Sequence, residues 1–166
     1  MPSETTQQKM TAIQRLNFLE ILESQRKHPT LPYHVSRKHS DKKANDLTRA
    51  VVRWIQLHGG QAERVSVTGR MIDNRKTFTD TVGRVRMVGS VKRIPASMQR
   101  GTADISATIA GKSVKIEVKI GKDRQSEAQK TYQMQVERAG GVYMIATSLQ
   151  QFVDELEHRG LSLQER

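Results

Sequence analysis

Two short segments on either side of Ala110-Gly111 alternate apolar and polar residues, and this pattern constrains the fold more than any other in the chain. Ile105, Ala107 and Ile109 occupy every second position of the first segment, and Val114, Ile116, Val118 and Ile120 those of the second. A period of two marks a strand with one face in a core. If Ala110-Gly111 is a two-residue turn, Ile109 faces Lys112 and Asp104 faces Glu117. Directly opposed residues point to the same side of a sheet. Lys119, two positions beyond Glu117, shares that side, and the aliphatic residues line the other. A register shifted by two keeps this parity but sets Asp104 against Lys119. A three-residue loop would put Asp104 and Glu117 on opposite faces, which the apolar pattern argues against.

Two carboxylates held together repel unless something compensates. Lys119 supplies one positive charge and a divalent cation would supply more. Mg²⁺ accepts one or two carboxylates and completes its shell with water and phosphate oxygens. A Glu-x-Lys triplet alone is common on exposed strands. The aspartate matched across the hairpin makes this one informative.

The rest of the chain reads as alternating helices and strands. Ile13, Leu16, Leu19 and Leu22 recur at helical spacing over Thr11–Gln25, and the helix stops before His28-Pro29-Thr30-Leu31-Pro32. With the basic stretch Arg37–Lys43 as a linker, residues 1–40 form an N-terminal helical arm outside the core. Residues 1–10 are polar and expected to fray. Asp41 or Asn45 caps a second helix with Leu47, Val51, Trp54 and Ile55 on one face, ended by Gly59-Gly60. Ala62–Thr68, the stretch around Thr77–Met87 and Val91–Ile94 are strand-like, with turns at Asp73-Asn74 and Gly83 and a loop over Pro95–Gly101. After the hairpin, Ser126 caps a helix reaching about Ala139, with Ala128, Tyr132, Val136 and Ala139 inward. Val142–Ala146 is a strand and Ser148–His158 an amphipathic helix. This order predicts an α/β domain, a mixed sheet flanked by helices, over residues 41–166. Residues 61–100 are an extended basic β region and 101–158 the part that carries the charges.

The chain of 166 residues is 36% hydrophobic and 27% charged, enough for one core and too apolar for disorder throughout. With no cysteine, disulfides and thiolate zinc sites are excluded. No apolar run approaches the roughly 20 residues of a membrane span, and MPSETTQQKM lacks the layout of a signal peptide. A cytoplasmic protein with no membrane partner is expected. The net charge of +11 is uneven: residues 47–100 hold 11 basic and 3 acidic residues, whereas 101–166 hold 9 of each. A basic region beside a carboxylate site suits a polyanion held by one part and processed at another. Arg70, Arg75, Lys76, Arg84 and Arg86 in the basic region, and Lys122 and Arg124 in the loop after the Glu-x-Lys strand, are candidate phosphate contacts. Arg64, Lys92 and Arg93 extend that set. No Walker-type loop is present, so a nucleotide cofactor is not expected. His28, His34, His39, His58 and His158 lack zinc-motif spacing and are read as surface or packing residues, and Trp54 as core.

Gly101-Thr102-Ala103-Asp104, Glu117-Val118-Lys119, Ser126-Glu127-Ala128-Gln129 and Gly140-Gly141-Val142-Tyr143 resemble, in order and spacing, the motifs of the VRR-NUC group of PD-(D/E)XK nucleases. The resemblance spans about residues 100–155. It implies a restriction-endonuclease-like fold and phosphodiester hydrolysis in DNA, structured or branched DNA included, with Mg²⁺ or Mn²⁺. It implies Asp104 and Glu117 as metal ligands, Lys119 as the catalytic lysine and Gln129 as the motif glutamine. Ala103 stands where the group has proline, and the helix from Leu47 to His58 lacks the glutamate that members often carry there. Asp46, at the start of that helix, is the candidate extra acid. A homodimer would supply the two sites needed to cut both strands. The small size suits a phage or mobile-element protein. The alternative is an inactive nucleic-acid-binding module on the same fold.

Overall fold

The computed structural model describes residues 10–34, 38–65, 69–94 and 99–161. Expectations for residues 1–9, Arg37, 66–68 and 95–98 lie outside them. The chain divides into two compact units, residues 1–65 with 100–166, and residues 66–99.

The first unit is a mixed α/β layer structure. Helix α1 (Ala12–Lys27) and helix α2 (Ala44–Leu57) precede strand β1 (Gln61–Arg64). Strands β2 to β5 belong to the second unit. Strand β6 (Ile105–Ile109), strand β7 (Lys112–Val118), helix α3 (Glu127–Arg138), strand β8 (Val142–Ala146) and helix α4 (Leu149–His158) complete the first. Its sheet runs β1-β6-β7-β8, antiparallel except for the parallel β7–β8 pair.

The hairpin has the register read from the pattern, with Ile109 opposite Lys112 and Ile105 opposite Ile116. Ala110 (φ 48°) and Gly111 (φ 76°) both take positive φ, as a type I′ turn requires. Ile105, Ile109, Val114 and Ile116 are fully buried, and Ala107 and Val118 nearly so. Against this aliphatic face pack Leu47, Val51, Trp54 and Ile55 of α2 and Leu149, Phe152, Val153 and Leu156 of α4. Four helices thus flank the sheet.

Three expectations are corrected. Helix α1 is not an arm outside the core: Leu16 is fully buried in it, and Ala12 N donates to Gln150 Oε1 at 2.8 Å. Its polar side is fastened to α2 by Arg53, whose Nε and Nη2 donate to the two oxygens of Glu20 at 2.6 and 3.2 Å. Glu23 takes a further bond from the same guanidinium. A helix whose polar stripe matches a cation on its neighbour docks where its apolar stripe alone would leave its position undetermined. Helix α2 is capped by neither Asp41 nor Asn45: its N-cap is Lys43, and Asp41 instead accepts from Leu149 N at the start of α4. Helix α3 buries no residue, and Ala128 and Ala139 are exposed. Its inward Tyr132 and Val136 are only partly buried.

The second unit is a two-stranded ribbon. Strand β2 (Arg70–Asp73) pairs with strand β5 (Val91–Ile94), and strand β3 (Lys76–Thr79) with strand β4 (Val85–Val88), all antiparallel. Asp73-Asn74 is not a turn between separate strands. Arg70 faces Ile94 and Lys76 faces Val88, so one register runs from Arg70–Ile94 to the tip. Asn74 N donates to Ser90 O across the gap between the ladders. The tip turns at Gly83 (φ +78°), as expected, and the Asp80 carboxylate accepts from Val82 N and Arg84 N.

Candidate functional site

Glu117 is placed on the polar side of the sheet by the same alternation that buries Val118 on the other. It lies in β7 between β6 and β8, opposite Ile145 of β8. Its side chain is only 3% exposed. Asp104 sits one residue before β6, where the hairpin register sets it opposite Glu117. Its carboxylate Oδ2 accepts from Val118 N at 3.0 Å, and its backbone oxygen from Val65 N at 2.8 Å. These two bonds fix the aspartate from both sides.

Lys119 continues β7 on the same face. Its Nζ stands 3.2 Å from Glu117 Oε1 and 3.3 Å from Asp123 Oδ2. Lys119 N donates to Ala146 O, so the β8 edge holds the lysine backbone. Gln129 lies in the first turn of α3 and has two tasks. Its Oε1 accepts from Ser126 N at 2.8 Å, completing a reciprocal cap with the Ser126 hydroxyl. Its Nε2 donates to Glu117 Oε1. Ser126 and Gln129, three residues apart, therefore both start the helix and hold one carboxylate oxygen.

Gly101 lets the loop before Asp104 lie against the first turn of α3. With φ +81°, it lies so close to α3 that a Cβ would fall 2.3 Å from Ala128 O and 2.7 Å from Gln129 N. Only glycine allows this approach. The loop before Asp104 and the helix carrying Gln129 are thus brought within backbone contact.

Glu117 is electrostatically frustrated. Burial, and then the negative charge of Asp104, push its carboxyl up from 4.5 to about 7, against the pull of Lys119. Its Oε2 is buried and accepts no hydrogen bond. A buried carboxylate oxygen without a partner is costly. A cation bound there would satisfy it and relieve the repulsion from Asp104. The donor set is two carboxylates of hard oxygen, which fits Mg²⁺ or Mn²⁺ with water and phosphate completing the shell. Among the described residues no group of three or more His, Asp, Glu or Cys side chains converges for a metal.

Of the expected residues, Asp104, Glu117, Lys119 and Gln129 come together. Asp46 does not join them: its carboxylate is bound by Arg49, one turn along α2. Lys122 and Arg124 are exposed in the loop between β7 and α3. Arg70, Arg75, Lys76, Arg84 and Arg86 belong to the ribbon unit, where Arg75 pairs with Asp73 and Arg86 with Asp80. Gln125 and Gln133 bond to each other at 3.0 Å.

Two neighbours of the site were not read from the sequence. Asp123 binds Lys119, and the available signal was an acid four residues beyond the lysine. Tyr143 of β8 is 2% exposed, and burial followed by the charge of Glu117 pushes its hydroxyl up to about 12. Tyr132 of α3 packs edge-on against it, ring centroids 6.4 Å apart. Tyr143 thus stands near enough to Glu117 to feel its charge.

No helix among the described residues is long and apolar enough to cross a membrane. Compared with protein-family models, with curated proteins and with solved structures, the chain matches none of them.

Proposed function

We propose that this protein is a divalent-metal-dependent endonuclease that hydrolyses phosphodiester bonds in DNA, with a restriction-endonuclease-like arrangement of its sheet. The observation that carries the reading is half-buried Asp104 beside buried Glu117, with Lys119 and Gln129 on the Glu117 carboxylate and one of its oxygens left without a partner. The motif resemblance supplies the reaction class.

Asp104 and Glu117 would hold Mg²⁺ or Mn²⁺, which when bound supplies charge neutralisation at the phosphate and an acidified water. Gln129 holds Glu117 Oε1 and leaves Oε2 without a partner, so Oε2 is the oxygen that would be free to ligate. Lys119 keeps its ammonium beside the carboxylates through Glu117 and Asp123. There it donates to a non-bridging phosphate oxygen and stabilises the charge that grows on it. The water oxygen bonds to phosphorus, the phosphorus–sugar oxygen bond breaks, and the proton released by the water is balanced by one taken up at the leaving sugar oxygen. Burial of Glu117 keeps the field around these charges strong.

Supercoiled, linear, flapped and four-way-junction DNA incubated with Mg²⁺ or Mn²⁺ test the proposal. Cleavage should stop with EDTA and in Asp104→Ala, Glu117→Ala and Lys119→Ala; full activity in all three variants would refute it. A second reading, a nucleic-acid-binding module that does not cut, is favoured by the want of a third carboxylate among the described residues. It predicts DNA binding without cleavage and no heat of Mn²⁺ binding by calorimetry.

A further inference from the structure

The ribbon unit has an unusual surface. All eight residues of the β3–β4 ladder are exposed, so neither of its faces is in a core. On one face Lys76 and Val88 stand opposite, followed by Phe78 and Arg86; on the other Thr77 faces Met87 and Thr79 faces Val85. In β2 and β5, Met71, Val91 and Ile94 are also exposed. A two-stranded hairpin without a core is marginal by itself, and so much exposed apolar surface marks a contact surface.

Charge selects the occupant. Residues 66–99 contain seven basic and two acidic residues. Both acids are consumed within the ribbon, Asp73 by Arg75 and Asp80 by Arg86. Arg70, Lys76, Arg84, Lys92 and Arg93 pair with no acid among the described residues. A second copy of this ribbon would meet like charge, and a polyanion meets its complement. Phe78 is the one aromatic residue of the unit, too few for the row of stacking rings that grips single strands. Duplex remains. Each strand of the ribbon, Arg70–Asp80 and Arg84–Ile94, spans roughly 35 Å at about 3.3 Å per residue, close to one turn of B-DNA. The major groove admits a two-stranded ribbon, and the right-handed twist of paired strands suits it to follow that groove.

We infer that residues 70–94 form a duplex-DNA-binding ribbon that lies in the major groove, its basic side chains on the flanking phosphates and its exposed apolar side chains against base edges. The choice of DNA rests on the proposed nuclease reading. The binding step is distinct from the cutting step, so each can fail alone.

The test is fluorescence anisotropy of the full chain with a labelled duplex in EDTA, over a series of salt concentrations, beside a single strand of the same sequence. Arg70→Ala, Lys76→Ala, Arg84→Ala and Lys92→Ala are combined in one protein. A second protein carries Lys27→Ala, Lys112→Ala, Arg138→Ala and Arg159→Ala, an equal loss of exposed charge from the first unit. Each lost phosphate contact reduces the log–log salt slope by about 0.9, so the ribbon variant should lose a slope of about 3 to 4 and bind at least about tenfold more weakly at low salt. The control should stay near the wild type, and the duplex should bind more tightly than the single strand. Circular dichroism of both proteins confirms that the comparison is between folded chains. No duplex binding by the wild type, an unchanged slope in the ribbon variant, an equal loss in the control, or equal single-strand binding would each overturn the inference. If the wild type binds duplex but never cuts with Mn²⁺, the nuclease reading fails and the ribbon stands.

Discussion

Replacing Glu117 by glutamine should stabilise the metal-free protein, and only above the pH at which the glutamate would ionise. Unfolded, this carboxyl releases its proton near its ordinary value of 4.5; folded, it holds it to about 7 because it is buried beside Asp104. The folded state therefore binds the proton more tightly. The associated stability is fully present below pH 4.5 and is lost as the pH rises through 7. A shift of this size corresponds to about 3 kcal/mol, from about 1.4 kcal/mol per pK unit. In Glu117→Gln the side chain keeps its shape and has no charge to bury, while Lys119 keeps Asp123. Urea unfolding of both proteins in EDTA, from pH 4 to pH 8.5, measures the effect. The variant's advantage should grow by about 3 kcal/mol between the two ends, with its midpoint between 4.5 and 7. Mn²⁺ at the upper end should raise the melting temperature of the wild type and leave the variant unmoved. A stability difference that is flat with pH would mean Glu117 is not strained by burial, and the argument that its free oxygen awaits a cation would fall with it.

Three other substitutions test the site's supports. Gly101→Ala forces a Cβ onto Ala128 O at a positive φ and should cost about 1–3 kcal/mol in thermal unfolding, with a loss of cleavage larger than the loss of stability explains. Gln129→Ala removes both the reciprocal cap and the bond to Glu117. About 1 kcal/mol of stability should go with the cap, and the cleavage rate should fall because Glu117 Oε1 is no longer held. Leu16→Ala empties a fully buried position of α1 and should cost about 2–5 kcal/mol in urea unfolding; a negligible effect would restore the reading of that helix as an arm.

The sequence was most legible where physical constraints overlapped. Ile105, Ala107 and Ile109 could alternate with polar neighbours in only one way. That put Asp104, Glu117 and Lys119 on one side of the sheet, and the structure chose the two-residue turn, with Asp104 opposite Glu117, over the register shifted by two. Ser126 was legible for a similar reason, since a cap is a contact within four residues, whereas Gln129 came from the motif resemblance and its part in the cap only from the structure. Local rules failed where a partner lay far along the chain. Asp41 is a good helix cap by type, yet it accepts from the first turn of α4, whose N-cap is Ser148, rather than from α2, because the fold brings Leu149 N to it. The stripe of α1 marked a helix but could not say that Arg53 would clamp it. Asp73-Asn74 had turn chemistry, but continuous pairing of Arg70–Thr79 with Val85–Ile94 overrode it.

The sequence by itself determined the hairpin and the side of the sheet on which three charges meet, because side-chain alternation leaves little freedom, while the structure chose between the two registers of that parity. Only the tertiary structure decided how those charges behave. Glu117 is buried only in the folded chain, and its fixed oxygen comes from Gln129 on α3. The contact between Gly101 and Ala128 joins segments that are apart in the chain. Burial depends on atoms brought from many places at once, and no spacing within one segment encodes it.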